Sequence, residues 1–354
     1  MRRDYLLPLS LAGALFGCSN GSEEPAAIQQ RVTLETFASC EDLESYIEEQ
    51  AVRDMKAQLD CQKDGGWCGG GWAVFDAAGS PPREASAADK SGPSAYTKTN
   101  TQVAGVDEAD FMKNDGTRIF VLSGQKLRAV KSWPADQLSL QGQLAIEGYP
   151  SQMYLDEKNR VVVFSSVYTK YDGFAEGGSG GGGAADIACA PGLDGCGYYY
   201  GNTTKVTVVD VSDIANLRVV SETYLPGSYA NSRRIDSAVR LVLSDSFRWP
   251  VAVKFWPNSS DPNLYSDKRR WNAALDDLKA QNEQVIRDQT LAQWLPPVKR
   301  KLSDGKIVEV PYNCADFYKS NTSVHMGLVT VATLNLDAID QPPARSTVLG
   351  DRKS

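Results

Sequence analysis

The chain has 354 residues, of which 42% are hydrophobic and 23% are charged, a composition typical of globular proteins. Its formal net charge is −7 and its pI is near 5.0. The lysines and arginines are scattered, and the densest basic cluster, Lys299–Lys301, is short and is interpreted as a solvated loop. Because no basic face is visible, the sequence argues against a nucleic-acid partner.

Residues 1–17 have the features of a secretory signal peptide. Arg2 and Arg3 precede an apolar run, Tyr5–Phe16, that is too short to span a bilayer. The next feature, Leu15–Cys18 (Leu-Phe-Gly-Cys), resembles a bacterial lipobox. This resemblance implies cleavage before Cys18 and lipidation of its thiol and of the new amino terminus. We therefore expect an extracytoplasmic protein of the cell envelope, whose partner is the membrane that receives the lipid.

The export route and the final membrane follow from the flanking residues. Arg2–Leu7 resembles a twin-arginine export signal, and an ordinary basic head of a general secretory signal is the alternative; both stay open. Ser19, rather than an aspartate, follows the cysteine, which favours sorting to the outer membrane if the cell has one. Residues 18–32 are small and polar and are interpreted as the tether between lipid and fold.

Residues 33–98 are predicted to hold one helix and a linker. Ser39 is a candidate N-cap, and one apolar residue recurs every four positions after it, which favours an amphipathic helix to about Asp60. This stripe consists of Leu43, Ile47, Ala51, Met55 and Leu59. Residues 76–98 are rich in Ala, Ser, Pro and Lys, which is typical of an exposed linker.

Short β-rich runs separated by turn signals follow from Val103 and predict an all-β meander. The predicted strands are Arg118–Leu122, Lys126–Lys131, Gln143–Glu147, Ser151–Leu155, Val161–Ser165, Lys205–Val211, Arg218–Tyr224, Val239–Leu243 and Leu328–Leu336. An apolar strand followed by a strand that ends in Asp occurs twice, and this unit resembles a propeller blade. Two insertions stretch the repeat: a glycine-rich loop at 172–201, and 256–318, which contains a helical segment.

The segment Thr99–Gly116, with its Val-Asp-Glu-Ala-Asp core, resembles the opening signature of the secreted bacterial and archaeal β-propeller family that is distantly related to WD-repeats. The similarity extends over roughly 33–350, and Trp294–Pro296 and Cys314 ahead of Gly327–Val331 are similar too. It implies a mainly-β fold of β-propeller blades with an N-terminal helix and a helical insertion. It implies no shared catalytic residues.

The propeller is expected to be incomplete. The domain is placed at 99–354, and its strands supply roughly two to three blades, whereas closure needs at least about four. Members of the family usually continue with further blades, so the sequence predicts a C-terminally truncated member with unpaired strand edges.

Six cysteines remain after Cys18, an even number that favours disulfides in an oxidising compartment. Their spacing does not match the Cys-x2-Cys pattern of zinc sites. A helix over 41–59 would separate Cys40 from Cys61 by roughly 27–30 Å, too far for a disulfide. The three predicted pairs are Cys61–Cys68, Cys189–Cys196 and Cys40–Cys314.

Few residues carry recognisable chemistry. Asp107, Glu108 and Asp110 are interpreted as structural acids at a turn, with a bound cation as the alternative. Tyr198–Tyr200 either forms a recognition surface or starts a strand. The only histidine, His325, is interpreted as a packing or surface residue rather than a catalytic one.

The sequence therefore favours a binding or scaffolding module for an unknown protein or polymer ligand, with no catalytic residue, metal or cofactor predicted. A propeller hydrolase, a quinone-cofactor dehydrogenase and a non-functional fragment of a longer protein are the alternatives. An enzyme would need His, Arg or carboxylate groups converging on the central channel.

Overall fold

The computed structural model describes residues 33–63, 106–172, 174–176, 198–257, 261–302, 304–322 and 326–350. Within these ranges the chain is mainly β, as the sequence predicts, and forms three large sheets together with a helical layer. No helix in this part of the chain is long and apolar enough to cross a membrane.

The N-terminal part forms a short strand, β1 (Leu34–Thr36), and the predicted helix, α1 (Cys40–Lys63). Ser39 caps this helix, because its hydroxyl accepts a hydrogen bond from the backbone N–H of Asp42 at 3.1 Å. The Asp42 carboxylate in turn accepts the N–H of Ala38 at 3.0 Å. All five residues of the predicted apolar stripe are buried, so the four-residue spacing did identify the packed face.

The first sheet follows a two-residue strand, β2 (Val106–Asp107), and contains four antiparallel strands in chain order. These strands are β3 (Met112–Asn114), β4 (Arg118–Ser123), β5 (Lys126–Lys131) and β6 (Ser139–Ala145). Burial alternates along β4 and β5, where Phe120, Leu122 and Leu127 lie on the buried face. This period of two is the mark of a sheet with one packed face.

The second sheet is built mainly from the next part of the chain. That part contains β7 (Tyr149–Leu155), β8 (Arg160–Asp172), β9 (Phe174–Glu176), β10 (Tyr198–Asp210) and β11 (Arg218–Pro226). All but β9 belong to the sheet and pair antiparallel in the order β7-β8-β10-β11. Valines alternate between the two faces of β8 and β10, so this sheet is packed on both sides.

The third sheet has a core of four antiparallel strands and several later additions. The remaining strands of the chain are β12 (Ser228–Ile235), β13 (Ala238–Ser246), β14 (Arg248–Pro250), β15 (Val298–Lys301), β16 (Ile307–Val310), β17 (Phe317–Ser320), β18 (Gly327–Asn335) and β19 (Ala344–Leu349). The core order is β12-β13-β18-β19; β2 adds to one edge, and β17 and β1 add to the other. Strands β15 and β16 extend the second sheet, and β14 pairs with β9.

The second sheet lies between the other two. One of its faces packs on the first sheet, with Val163 and Val209 against Phe120 and Leu127. Its opposite face packs on the third sheet through a second apolar core that includes Phe164 and residues of β13 and β18. Two layers of buried apolar side chains, one at each interface, therefore hold the three sheets together.

Each of the first two sheets also contacts its neighbour through an arginine in its first hairpin. Arg118 donates to the Asp115 carboxylate in its own turn and to the carbonyl of Val211 at 3.0 Å, just after β10. Arg160 repeats this arrangement with Asp156 in its own turn and with the carbonyl of Leu336, just after β18. The same Asp–Arg turn thus joins the first sheet to the second and the second to the third.

A helical layer covers the outer strands of the third sheet. Helices α2 (Lys268–Arg287) and α3 (Leu291–Trp294) come from the predicted helical insertion and pack with α1 around a third apolar core. The predicted Cys40–Cys314 disulfide is present, with 5.3 Å between the two Cα atoms. It joins the first residue of α1 to the segment just before β17.

The structure differs from the sequence prediction at several elements. Strand β12 was missed because its inward residues, Ser232 and Arg234, are polar, although they are only 2% and 6% exposed. Strand β19 was missed too, and the predicted strand at 143–147 instead spans Ser139–Ala145. The insertion at 256–318 contains the predicted helical segment as α2, and it also supplies β15 and β16, which the sequence does not predict. The sheets form no closed ring in the described ranges, and both outer sheets keep one face without a facing sheet.

Candidate functional site

The acidic motif 107–110 pairs with an edge strand of each of two sheets, β12 of the third sheet and β7 of the second. Asp107 in β2 pairs with Arg234 of β12. Asp110 forms an isolated β-bridge with Met153 of β7, with backbone hydrogen bonds of 2.7 and 3.1 Å in both directions. The motif therefore connects the edges of these two sheets before the chain enters the first sheet.

Cationic side chains surround the first two carboxylates of this motif. Lys113 is 5% exposed, and its Nζ lies 2.8 Å from Oδ1 of Asp107 and also donates to the carbonyl of Glu108. Arg234 lies 3.6 Å from Asp107, and Arg233 lies 3.3 Å from Glu108. Each carboxylate thus has a positively charged protein partner, which is the arrangement of a structural ion-pair network.

The third acid of the motif has a local role. One oxygen of Asp110 accepts the N–H of Phe111 at 2.7 Å. Among the residues that the structure describes, no group of three or more His, Cys, Asp or Glu side chains is arranged to hold a metal ion. Asp107, Glu108 and Asp110 thus make contacts within the protein, as expected for structural acids. A bound cation remains an alternative that rests on the sequence alone.

Several sequence-predicted site residues lie outside the described ranges. They are Cys18, Cys68, Cys189, Cys196 and His325. Cys61, at the end of α1, is in the disulfide-bonded state. Tyr198 begins β10 and pairs with Asp172, and Tyr199 pairs with Tyr171, so this tyrosine run does start a strand.

A pocket that sequence reasoning did not anticipate opens between the second and third sheets. We call it the inter-sheet pocket; its cavity volume is about 40 Å³, and it opens to solvent. It lies where β11 and β15 face β13, β18 and β19, next to the end of α3. Its apolar wall consists of Leu225, Leu243, Leu295, Val298, Phe317 and Leu328, all of them buried.

The third sheet supplies polar groups to one side of this pocket. Thr330 pairs with Thr347 across β18 and β19, and their hydroxyl groups lie 2.9 Å apart. Arg345 lies two residues before Thr347 on the same face of β19 and also lines the pocket. Tyr312, from the loop before β17, contributes its half-buried ring, and burial raises the pKa of its hydroxyl.

Arg345 is the half-buried cation among the residues that line this pocket. Its guanidinium donates to the carbonyl of Pro311 at 3.0 Å, and no carboxylate in the described part of the chain lies within 4.0 Å of it. Burial lowers the pKa of Arg345, and the more distant Asp316 opposes this shift. A cation that is desolvated without a counterion favours an anion beside it.

The other charged residue of the pocket is internally neutralised. Asp245 is 8% exposed and forms an ion pair with Arg248, which is 4% exposed. Their charges cancel, so Arg345 gives the pocket a net positive charge. The residues of the pocket come from six strands, the segment just after α3 and one loop, spread over residues 225–347, and no local sequence signal brings them together.

A comparison with known protein families matches residues 96–354 of the chain to the beta propeller domain. The match covers most of the chain, and the protein therefore belongs to the beta propeller domain family. This agrees with the family resemblance of the segment Thr99–Gly116. Neither a search of curated proteins nor a search of solved structures found a match.

Proposed function

We propose that this protein is an extracytoplasmic β-propeller module, held at the membrane by lipid on Cys18, that binds a ligand in the inter-sheet pocket. Membership of the beta propeller domain family supports a generic binding or scaffold role. In the proposal the three stacked sheets are successive blades. The repeated Asp–Arg turns support this, because Arg118 and Arg160 make equivalent contacts to the following sheet.

The observation that carries the binding function is the composition of the inter-sheet pocket. It combines a continuous apolar wall with a few hydrogen-bond donors on one side, which is the usual composition of a small-molecule site. The two threonine hydroxyl groups and Arg345 come from β18 and β19, whose positions are fixed by regular pairing. A site on paired strands changes little in shape, so it can select a ligand by geometry.

The pocket can be tested by filling it. Leu328→Phe adds volume to the pocket wall, and Val331→Phe adds the same aromatic ring on the opposite face of β18, where the side chain is 39% exposed. We expect ligand-observed NMR with a library of small organic fragments to detect binding to the full chain and to the Val331→Phe variant, and to lose it with Leu328→Phe. Equal binding to both variants, or none to the wild type, would refute the proposal.

The membrane anchor is tested separately. Cys18→Ser removes the thiol that the lipobox resemblance assigns to lipidation. Because two or more acyl chains are needed for a stable anchor, we expect the wild type in the membrane fraction and the variant as soluble or uncleaved protein. An intact mass showing an unmodified Cys18 in the native protein would exclude this part of the proposal.

A further inference from the structure

We infer that the ligand of the inter-sheet pocket is a small apolar monocarboxylate and that Arg345 recognises its carboxylate. This inference rests on the proposed binding function and adds the chemical class of the ligand.

Charge balance is the first argument. The four strongly buried cations of the described ranges each have a carboxylate partner: Lys113 has Asp107, Lys205 has Glu147 and Glu222, Arg234 has Asp107 and Glu157, and Arg248 has Asp245. Arg345 is half-buried, and its single hydrogen bond goes to a backbone carbonyl. A guanidinium has five N–H donors in a fixed planar fork, so most of its donors are left for a ligand. A carboxylate matches that fork with two parallel hydrogen bonds.

The hydroxyl groups beside Arg345 provide the second argument. Thr330 and Thr347 share one hydrogen bond, in which one hydroxyl donates and the other accepts. The second hydroxyl proton of this pair has no acceptor among the described residues. Register places Thr347 two residues from Arg345 on the same face of β19, so both can reach one anionic group. A carboxylate accepts up to about four hydrogen bonds, which suits this set of donors.

The apolar wall of the pocket indicates the chemistry of the ligand next to its carboxylate. Leu243 faces Thr330 across β13 and β18, and Phe317 faces Thr347 across β17 and β19, so apolar side chains flank the hydroxyl pair on both sides. Burial of an apolar ligand surface against such a wall contributes roughly 25 cal/mol per Å². The ligand is therefore expected to have an aromatic ring or a branched alkyl group next to its carboxylate.

The presence of Asp245 in the pocket argues for a ligand with only one negative charge. This carboxylate also lines the pocket, and it forms an ion pair with Arg248. A second anionic group on the ligand would meet Asp245 with no free cation to stabilise it, because Arg345 is already engaged. Dicarboxylates and phosphate monoesters are therefore disfavoured relative to monocarboxylates.

The test uses 3-phenylpropanoate and its neutral analogue 3-phenylpropan-1-ol as probes, with isothermal titration calorimetry on the detergent-purified full chain. We expect the carboxylate to bind at least about tenfold more tightly than the alcohol, a difference of about 1.4 kcal/mol. Arg345→Gln is expected to abolish this preference. Arg240→Gln is the matched control, since Arg240 is exposed on the opposite face of the third sheet, and should leave it unchanged.

The possible results separate the inference from the function on which it rests. If both probes bind equally and Leu328→Phe abolishes binding of both, the pocket binds ligands but the carboxylate inference is wrong. If neither probe binds, the inference is also wrong, and the fragment screen decides on the pocket itself. If Arg345→Gln fails to fold, Thr347→Val replaces it; the inference then requires a several-fold weaker affinity for the carboxylate and an unchanged affinity for the alcohol.

Discussion

The two inter-sheet interfaces each contain a cationic residue, Lys205 in one and Arg345 in the other, and the two residues differ in burial and in their carboxylate partners. On the face of the second sheet that packs on the first, Lys205 is 2% exposed, and its Nζ lies 2.6 Å from Glu147 and also donates to Glu222. Two further residues complete this cluster: Lys301 forms an ion pair with Glu222, and the hydroxyl of Tyr224 donates a hydrogen bond to Glu147. In the interface between the second and third sheets, the half-buried Arg345 lines a pocket and has no carboxylate within 4.0 Å in the described ranges.

The difference separates a structural cation from a candidate binding cation. The charge of Lys205 is balanced within the protein, so removing the lysine takes a close cationic partner from Glu222, whose side chain is only 13% exposed. No carboxylate of the described residues lies within 4.0 Å of Arg345, so removing Arg345 takes a close counterion from none of them. The two residues should therefore respond in opposite ways to substitution, one through stability and the other through ligand affinity.

The largest effect is expected for Lys205→Met. Glu222 has a side chain only 13% exposed and would keep only Lys301 as a cationic partner, so we expect a loss of about 3 kcal/mol in the free energy of unfolding. Urea unfolding of the full chain measures it. Lys299→Met is the control, because this lysine of β15 is 38% exposed and lies 3.7 Å from Glu309, a surface pair worth less than about 1 kcal/mol. Equal losses for the two variants would show that the Lys205 cluster is not a structural ion-pair network.

The Asp–Arg turns give a second comparison between the two interfaces. Asp156 has a side chain 3% exposed and accepts two backbone N–H groups, whereas the equivalent Asp115 has a side chain 24% exposed. We expect Asp156→Ala to cost about 2 to 3 kcal/mol and Asp115→Ala about 1 kcal/mol, since a more buried partner is left unsatisfied in the first variant. Thermal unfolding of both variants measures the order, and the reverse order would show that burial of the aspartate does not set the cost of its removal.

The acid side of the stability profile should depend on the Lys205 cluster. Burial by itself raises the pKa of Glu147 and Glu222. The hydrogen bonds and charges of Lys205 and Lys301, with the Tyr224 hydrogen bond to Glu147, together outweigh burial and hold the pKa of both carboxyl groups below the usual 4.5. A carboxyl group with a lowered pKa stabilises the fold above its unfolded-state pKa, and this contribution is lost as the pH falls through the folded-state value. The free energy of unfolding should therefore fall below about pH 4.5, more steeply in wild type than in Lys205→Met. Parallel profiles would contradict this assignment.

Parts of this picture were accessible from the sequence. The α1 stripe and strands such as Lys126–Lys131 follow from local periodicity, because their burial repeats every four or every two residues. Strand β12 could not be predicted from local periodicity, because its buried Ser232 is polar. The Ser232 hydroxyl lies 2.9 Å from the hydroxyl of Tyr154, a hydrogen-bond partner 78 residues away. A pattern search reads polar residues as exposed and misses such a strand.

The candidate site was not accessible for a related reason. The sequence predicted strands around Leu243 and Thr330, but the pocket depends on which strands face each other across two sheets. Lys205 was likewise placed in a predicted strand, while its partner Glu147 lies 58 residues away. Contacts over such separations are set by the stacking of the sheets, and one sequence contains no local signal for them.

The smallest effect on stability is expected for Arg345→Leu. The substitution removes one hydrogen bond to the carbonyl of Pro311 and also removes the desolvation cost of a half-buried guanidinium, while leucine extends the apolar wall of the pocket. These terms oppose each other, so the free energy of unfolding should change by less than about 0.5 kcal/mol in either direction. Urea unfolding in the absence of ligand measures this, with Lys205→Met as the reference for a structural cation. If Arg345→Leu lowered the free energy of unfolding as much as Lys205→Met, Arg345 would be a structural residue of the third sheet and not an anion-binding residue. The proposed contrast between the two interfaces would then be wrong.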